Sequence, residues 1–135
     1  MAGATLCLKK AAWDAAWAHV RGAAPEEAVG AFVGRGGCAR RAVPLPNVAE
    51  DPLVAYRADP AALLRLLRGT EAAGEAVLAF YHSHPQGLAR PSARDRAEAY
   101  WPLPYVIFGL AEGRARAFLL PSGEEVAIEV VDGDL

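Results

Sequence analysis

The sequence predicts a mixed α/β (α+β) fold in which helices pack on a central mixed β-sheet. The first observation is that strand-like apolar segments alternate with helical stripes, in the order β-α-β-β-β-α-β-α-β-β-β. The second is length, because 135 residues suffice for one domain that buries roughly two-thirds of its unfolded surface. The third is composition, since 53% hydrophobic and 22% charged residues are typical of a globular protein. We expect a single domain over residues 1–135.

The first half of the chain is predicted to contain one helix and four strands. Trp13, Trp17 and Val20 recur at spacings of four and three, which places them on one face of a helix over residues 11–20. A glycine and a proline shortly after Val20 end this helix. The strand-like segments are 5–8, 27–33, 38–45 and 53–57.

The second half of the chain begins with a helix that has clear start and stop signals. Asp59 is a typical N-cap and Pro60 a typical first helical residue, while Gly74 is a stop signal for a helix over 61–73. The apolar run 76–82 predicts a strand. The remaining predicted elements are a short helix over 92–100 and strands over 104–110, 115–120 and 126–131.

The charge pattern argues against a nucleic-acid partner, and the length of the apolar runs argues against a membrane span. The formal net charge is −2 at pH 7 and the basic residues form no cluster, whereas phosphate binding requires grouped cations. No apolar run reaches the roughly 18 residues needed to span a bilayer. The opening segment 1–10 has too short an apolar run for a signal peptide, and its charges follow that run. We therefore expect a cytoplasmic protein.

The two cysteines are predicted to be reduced. Cys7 and Cys38 belong to no C-x-x-C pair and are too few for a disulfide framework. We interpret them as small buried apolar residues in a reducing compartment.

The chemistry-bearing residues are concentrated in one segment, from His82 to Asp95. His82 and His84 lie two residues apart at the end of a predicted strand, so both imidazoles lie on the same face. Asp95 follows eleven residues after His84, across a loop that can fold the next helix back over the strand end. Two imidazoles and a carboxylate are ligands that zinc takes, with a fourth position left to water. This set favours a catalytic metal site.

A structural interpretation of the same residues stays open at this point. An H-x-H pair alone is weak evidence for a metal. The segment Ser92-Ala-Arg-Asp95 is also a capping box, in which the serine accepts a backbone N–H and the acid reaches back to the cap.

The combined spacing resembles a known family. His82-Ser-His-Pro followed by Ser92 and Asp95 fits the pattern H-x-H-P-x6-S-x2-D of the JAMM metallopeptidases, also called JAB1/MPN domains. The upstream segment Pro25-Glu26-Glu27-Ala28-Val29-Gly30 is similar to the family's P-x-E-x-C-G element, with Val29 in place of cysteine. The family places its glutamate three residues before the glycine, which selects Glu27 and leaves Glu26 as a surface charge.

This resemblance implies a fold and a role for each site residue. The fold would be the cytidine-deaminase-like JAB1/MPN fold, with a partly curled sheet, in its compact prokaryotic single-domain form. His82, His84 and Asp95 would bind one Zn²⁺ per chain. Glu27 would be the general acid/base, and Ser92 would stabilise the oxyanion.

The resemblance also implies a substrate class. Similar prokaryotic enzymes act on ubiquitin-like or sulfur-carrier proteins, hydrolysing a peptide or isopeptide bond after a C-terminal Gly-Gly. The alternative is a metal-free or weakly active scaffold that binds protein partners. A DNA-repair branch with a similar motif fits poorly, because a basic patch is lacking. A zinc deaminase is disfavoured because the H-x-E and P-C-x-x-C motifs are missing.

Overall fold

The computed structural model describes residues 5–132. Residues 1–4, part of the opening segment on which the signal-peptide prediction rests, lie outside it. In chain order the elements are β1 (Thr5–Lys9), α1 (Lys10–Ala23), β2 (Val29–Arg35), β3 (Cys38–Leu45), α2 (Pro60–Ala73), β4 (Ala76–His84), α3 (Ala93–Glu98), β5 (Tyr105–Gly109), β6 (Arg114–Leu119) and β7 (Glu124–Val131).

The seven strands form a closed barrel in the order β1-β3-β2-β4-β5-β6-β7, and β7 returns to pair with β1. Pairing is parallel between β1 and β3, β4 and β5, and β1 and β7, and antiparallel elsewhere. The predicted mixed sheet with flanking helices is therefore confirmed. The sheet is curled further than expected, because the parallel β1–β7 pairing closes it.

The predicted stripe of α1 packs against the barrel. Trp17 and Val20 are buried, and the Trp17 ring meets Phe108 of β5 edge-on at 4.8 Å between ring centroids. Trp13 contacts the same phenylalanine at 5.9 Å. This aromatic contact holds the helix over the sheet that carries the site. Among the described residues, no helix is long and apolar enough to cross a membrane.

The strand predicted over 53–57 is wrong. This segment forms turns and irregular backbone, and its apolar residues Leu53 and Val54 are 54% and 66% exposed. The Asn47 side chain accepts a hydrogen bond from the Arg57 N–H and donates one to the Ala55 carbonyl. Because a side chain satisfies these backbone groups, the segment needs no sheet partner.

The prediction that Cys7 and Cys38 are reduced is also wrong, because they form a disulfide. The two residues are paired neighbours on β1 and β3, with their Cα atoms 4.6 Å apart. Sequence spacing could not reveal this, since the contact exists only because the parallel crossover places β1 beside β3. The cysteines therefore give no support to a reducing compartment.

Reduction of this disulfide is expected to lower the free energy of unfolding by about 3 to 4 kcal/mol. The bond joins residues 31 apart, and opening a loop of that length releases conformational freedom in the unfolded chain. Urea unfolding with and without a reductant measures the difference. The double variant Cys7→Ser/Cys38→Ser is the control and should be insensitive to reductant. Unchanged unfolding of fully reduced wild-type protein would contradict the expectation.

Candidate metal site

Strand β4 delivers the two histidines to one place. It is buried between β2 and β5, with His82 opposite Val29 on one side and Ile107 on the other. His82 is 1% exposed, and His84, the last residue of the strand, is partly buried. Their ring centroids lie 5.1 Å apart. The prediction that the strand period places both imidazoles on one face is confirmed.

Helix α3 brings Asp95 to the same point. Its Oδ2 atom lies 3.3 Å from His82 Nε2 and 3.1 Å from His84 Nε2. The same oxygen accepts the Ser92 backbone N–H at 2.9 Å, while the Ser92 hydroxyl accepts the Asp95 N–H at 3.0 Å. The capping box is therefore real, and it holds the carboxylate against the histidines. The capping-box interpretation and the metal-ligand interpretation of Asp95 are therefore compatible.

The donor set fits a metal ion. One ligand atom each from His82, His84 and Asp95 lies within 4.8 Å of the other two, so the group could hold a metal. Neither ring nitrogen of the buried His82 has a hydrogen-bond partner. Such an orphaned polar group is unfavourable unless a metal or another partner satisfies it.

The charge states of His82 and Asp95 suit a cation. Burial lowers the pKa of His82, against the opposing effect of the Asp95 carboxylate, so this ring is neutral at pH 7. Burial acts to raise the pKa of Asp95, but the neighbouring His82 and His84 imidazoles hold it well below its usual range. Burial also acts against the charged form of His84, yet the neighbouring Asp95 carboxylate raises its pKa. A neutral imidazole beside a carboxylate is the form in which such groups bind metals.

The ring of His84 is held by the loop that follows it. Its Nδ1 atom lies 3.0 Å from the Leu88 carbonyl oxygen, to which Nδ1–H donates. This bond turns Nε2, the other ring nitrogen, towards Asp95 Oδ2 at 3.1 Å. The loop itself is anchored by the Ala89 N–H, which donates to the Glu112 carboxylate.

Glu27 lies just before β2, at the wall of a cavity of about 360 Å³. Its N–H donates to the Pro52 carbonyl at 2.8 Å, and its own carbonyl accepts from Asn47 Nδ2 at 2.8 Å. Glu26 is exposed, as the choice between the two glutamates predicts. The cavity is lined by Glu27, Leu53, Val54, Ala55, Tyr56, His84, Pro85, Gln86, Gly87, Ser92, Arg94, Asp95 and Glu98.

Burial raises the pKa of Glu27 to about 7, while the positive charge of a protonated His84 acts in the opposite direction. A carboxyl group with a pKa near the working pH can both accept and return a proton. This is the property expected of a general acid/base.

The raised pKa predicts a pH-dependent effect of Glu27→Gln on the metal-free protein. The folded state binds the Glu27 proton more tightly than the unfolded state does. The destabilising effect of Glu27 on the fold therefore grows as pH rises from about 4.5 to about 7, and reaches its full size above pH 7. Thermal unfolding in chelator should show Glu27→Gln melting a few degrees higher than wild type at pH 8, and the gain should vanish near pH 4. Glu26→Gln is the control. A gain that does not depend on pH would contradict the assignment.

The structure places Ser92 at the cavity and leaves its side chain exposed. Its hydroxyl oxygen already accepts the Asp95 N–H, so its own hydrogen is free to point elsewhere. Four of the five predicted site residues line the cavity, and His82 lies fully buried behind them.

Three residues around the site were missed by the sequence analysis. Ser83 is fully buried, and its hydroxyl accepts the Ala28 N–H at 2.9 Å, which ties β4 to the segment carrying Glu27. Asn47 bonds the Glu27 carbonyl, and the Tyr56 ring stacks on His82. A signal existed for Asn47, which follows a strand in a Pro-Asn pair. Tyr56 was hidden by the wrong strand prediction.

A family model for prokaryotic homologs of the JAB domain matches residues 9–120, which is most of the chain. The chain belongs to this family. It is 54% identical over 114 residues to a Thermus thermophilus protein named as a probable TtuB-protein conjugate cleaving protease, covering 84% of this chain and 75% of the relative. It is 37% identical over 123 residues to the desampylase of Haloferax volcanii, covering 87% and 88% of the two chains.

The JAB-family fold is confirmed by a solved structure. A JAB1/MPN domain protein from Archaeoglobus fulgidus superimposes with a TM-score of 0.66 over 96% of this chain and 100% of that chain, at 20% identity. The predicted resemblance to JAMM (JAB1/MPN) proteins is therefore correct. The prediction of an enzyme of the peptidase class is confirmed by the relatives.

Proposed function

We propose that this JAB-family chain is a zinc-dependent peptidase, with His82, His84 and Asp95 as the ligands of one Zn²⁺ and Glu27 as the general acid/base. The observation that carries the proposal is the convergence of the two imidazoles and the carboxylate beside a glutamate whose pKa is raised to about 7. Three protein ligands leave a position for water, which is typical of catalytic zinc sites.

Each site residue has a separate role in the proposed hydrolysis. Zinc, when bound, acts as a Lewis acid that polarises a carbonyl and makes a water molecule acidic near neutral pH. Glu27 accepts the proton from the attacking water and returns it to the leaving amine. The Ser92 hydroxyl donates to the oxyanion that develops on the carbonyl, a kind of contact worth about 3 kcal/mol elsewhere. The capping box keeps Ser92 and Asp95 in one orientation.

We infer that the substrate is a ubiquitin-like or sulfur-carrier protein, cleaved at a peptide or isopeptide bond after its C-terminal Gly-Gly. The support is the similarity to relatives named for conjugate cleavage and desampylation. Leu53 and Val54 give the cavity an exposed apolar rim, which suits a protein surface better than a polyanion. We further propose that residues 1–135 act as one domain in the cytoplasm, without nucleic-acid or membrane partners.

The test is a cleavage assay on two forms of one Gly-Gly-tailed carrier. One form carries a short C-terminal peptide, and the other is joined to a lysine side chain by an isopeptide bond. We expect cleavage of at least one form, its loss on treatment with a chelator, and its recovery with one equivalent of Zn²⁺. Cleavage that a chelator does not affect would contradict the zinc mechanism.

The alternative is a metal-free scaffold that only binds protein partners. It requires a ligand set that has lost a member, whereas the His-His-Asp group is complete here. Tight carrier binding without cleavage, by protein that takes up no zinc, would favour this alternative.

A further inference from the structure

The two histidines of the site are oriented by different means. His84 has the usual arrangement, in which the ring nitrogen away from the site donates to a backbone carbonyl, here that of Leu88 at 3.0 Å. His82 has no such bond, because neither of its ring nitrogens has a hydrogen-bond partner although the residue is 1% exposed. Something other than a hydrogen bond must fix the plane of this ring.

An aromatic stack supplies that contact. The Tyr56 ring lies face to face with the His82 imidazole, with centroids 4.2 Å apart and planes inclined by 20°. A stack of this geometry restricts rotation of the imidazole about its side-chain bonds. The contact uses the face of the ring and leaves both nitrogens free.

Asn47 holds the backbone on both sides of Tyr56. Its Nδ2 donates to the Ala55 carbonyl at 3.1 Å, and its Oδ1 accepts the Arg57 N–H at 2.9 Å. The same Oδ1 also accepts the Ala49 N–H at 3.0 Å, and Nδ2 also donates to the Glu27 carbonyl at 2.8 Å. One fully satisfied side chain therefore joins the segment that carries Tyr56 to the segment that carries Glu27.

We propose that Tyr56 is a positioning residue that orients His82 by stacking, and that Asn47 acts through Tyr56 by clamping its flanking backbone. The inference rests on the proposed role of His82 as a metal ligand. In this proposal Tyr56, in the irregular segment after β3, orients His82, as the hydrogen bond to the Leu88 carbonyl orients His84.

The stack predicts that zinc affinity depends on the ring and not on the hydroxyl of Tyr56. Tyr56→Phe keeps the ring and should bind zinc within about twofold of wild type. Tyr56→Leu keeps apolar bulk and loses the flat face, so zinc should bind about tenfold more weakly or worse, as when an outer partner of a ligand is removed. Dissociation constants come from competition with a chromophoric chelator, after circular dichroism has shown that each variant is folded.

Tyr100→Leu is the matched control. Tyr100 is 80% exposed and packs on Trp101, so its loss removes an aromatic ring near the site without touching His82. Zinc affinity should then equal that of wild type. The visible spectrum of cobalt-substituted protein, which reports ligand geometry, should change in Tyr56→Leu and stay unchanged in the control.

A double-variant cycle tests the role of Asn47. Asn47→Asp keeps the oxygen that accepts from Ala49 and Arg57 and removes the N–H donors. It should weaken zinc binding in the wild-type background and add nothing in the Tyr56→Leu background, because both changes act on zinc through the Tyr56–His82 stack. Fully additive losses would overturn the coupling.

The inference fails if Tyr56→Leu binds zinc as wild type does, or if Tyr56→Phe loses as much affinity as Tyr56→Leu. The Tyr56 variants test whether Tyr56 orients His82 even if the Asn47 variants do not fold. Wild-type protein that binds no zinc at all would instead overturn the proposed function.

Discussion

Replacement of Glu27 by glutamine is expected to abolish cleavage and to leave zinc bound. Glutamine has nearly the same shape but cannot accept a proton, so the water and the leaving amine lose their proton carrier. General acid/base groups contribute about 10²- to 10⁴-fold to rate, so kcat should fall by that factor. Glu27 is not among the three side chains whose ligand atoms converge, so zinc content should remain one per chain.

The neighbouring Glu26 provides a control for this experiment. It is exposed and one residue away, so Glu26→Gln should leave kcat and zinc content unchanged. Loss of zinc from Glu27→Gln, or retention of more than a few per cent of wild-type activity, would contradict the assignment of Glu27.

Replacement of Asp95 by asparagine is expected to strip the metal without unfolding the protein. Asparagine retains an oxygen that can accept the Ser92 N–H, so the capping box survives, but the negative charge is lost. Loss of a direct ligand should reduce zinc affinity by more than the roughly 10- to 100-fold typical of an outer partner. His82→Ala should also remove the metal. Metal analysis of the purified variants and thermal unfolding give the two readouts.

Ser92→Ala is the matched control for Asp95→Asn. It removes the hydroxyl that accepts the Asp95 N–H and should cost about 0.5 to 2 kcal/mol of stability, while the carboxylate and the zinc remain. Full zinc occupancy in Asp95→Asn would return this residue to a purely structural role.

Much of the site could be predicted because its geometry is local. A strand period of two is enough to place His82 and His84 on one face, and the spacing from Ser92 to Asp95 is enough to predict a capping box. Sequence could not show that one oxygen of Asp95 both accepts the Ser92 N–H of the cap and contacts the two histidines. That depends on how α3 lies across the end of β4, which no local pattern encodes.

The wrong predictions have a common physical cause. The segment 53–57 has the apolar residues of a strand, but its backbone is satisfied by Asn47, several residues away in sequence. Cys7 and Cys38 meet only because parallel pairing sets β1 beside β3. In both cases contacts that a local pattern does not encode decided the outcome over local propensity.

The most direct test of the proposed metal site is X-ray absorption at the zinc edge on protein loaded with one equivalent of Zn²⁺. We predict two imidazole nitrogens and two oxygens at about 2.0 to 2.2 Å, from His82, His84, Asp95 and one water. Sulfur at about 2.3 Å, or a single imidazole, would contradict the assignment of this site.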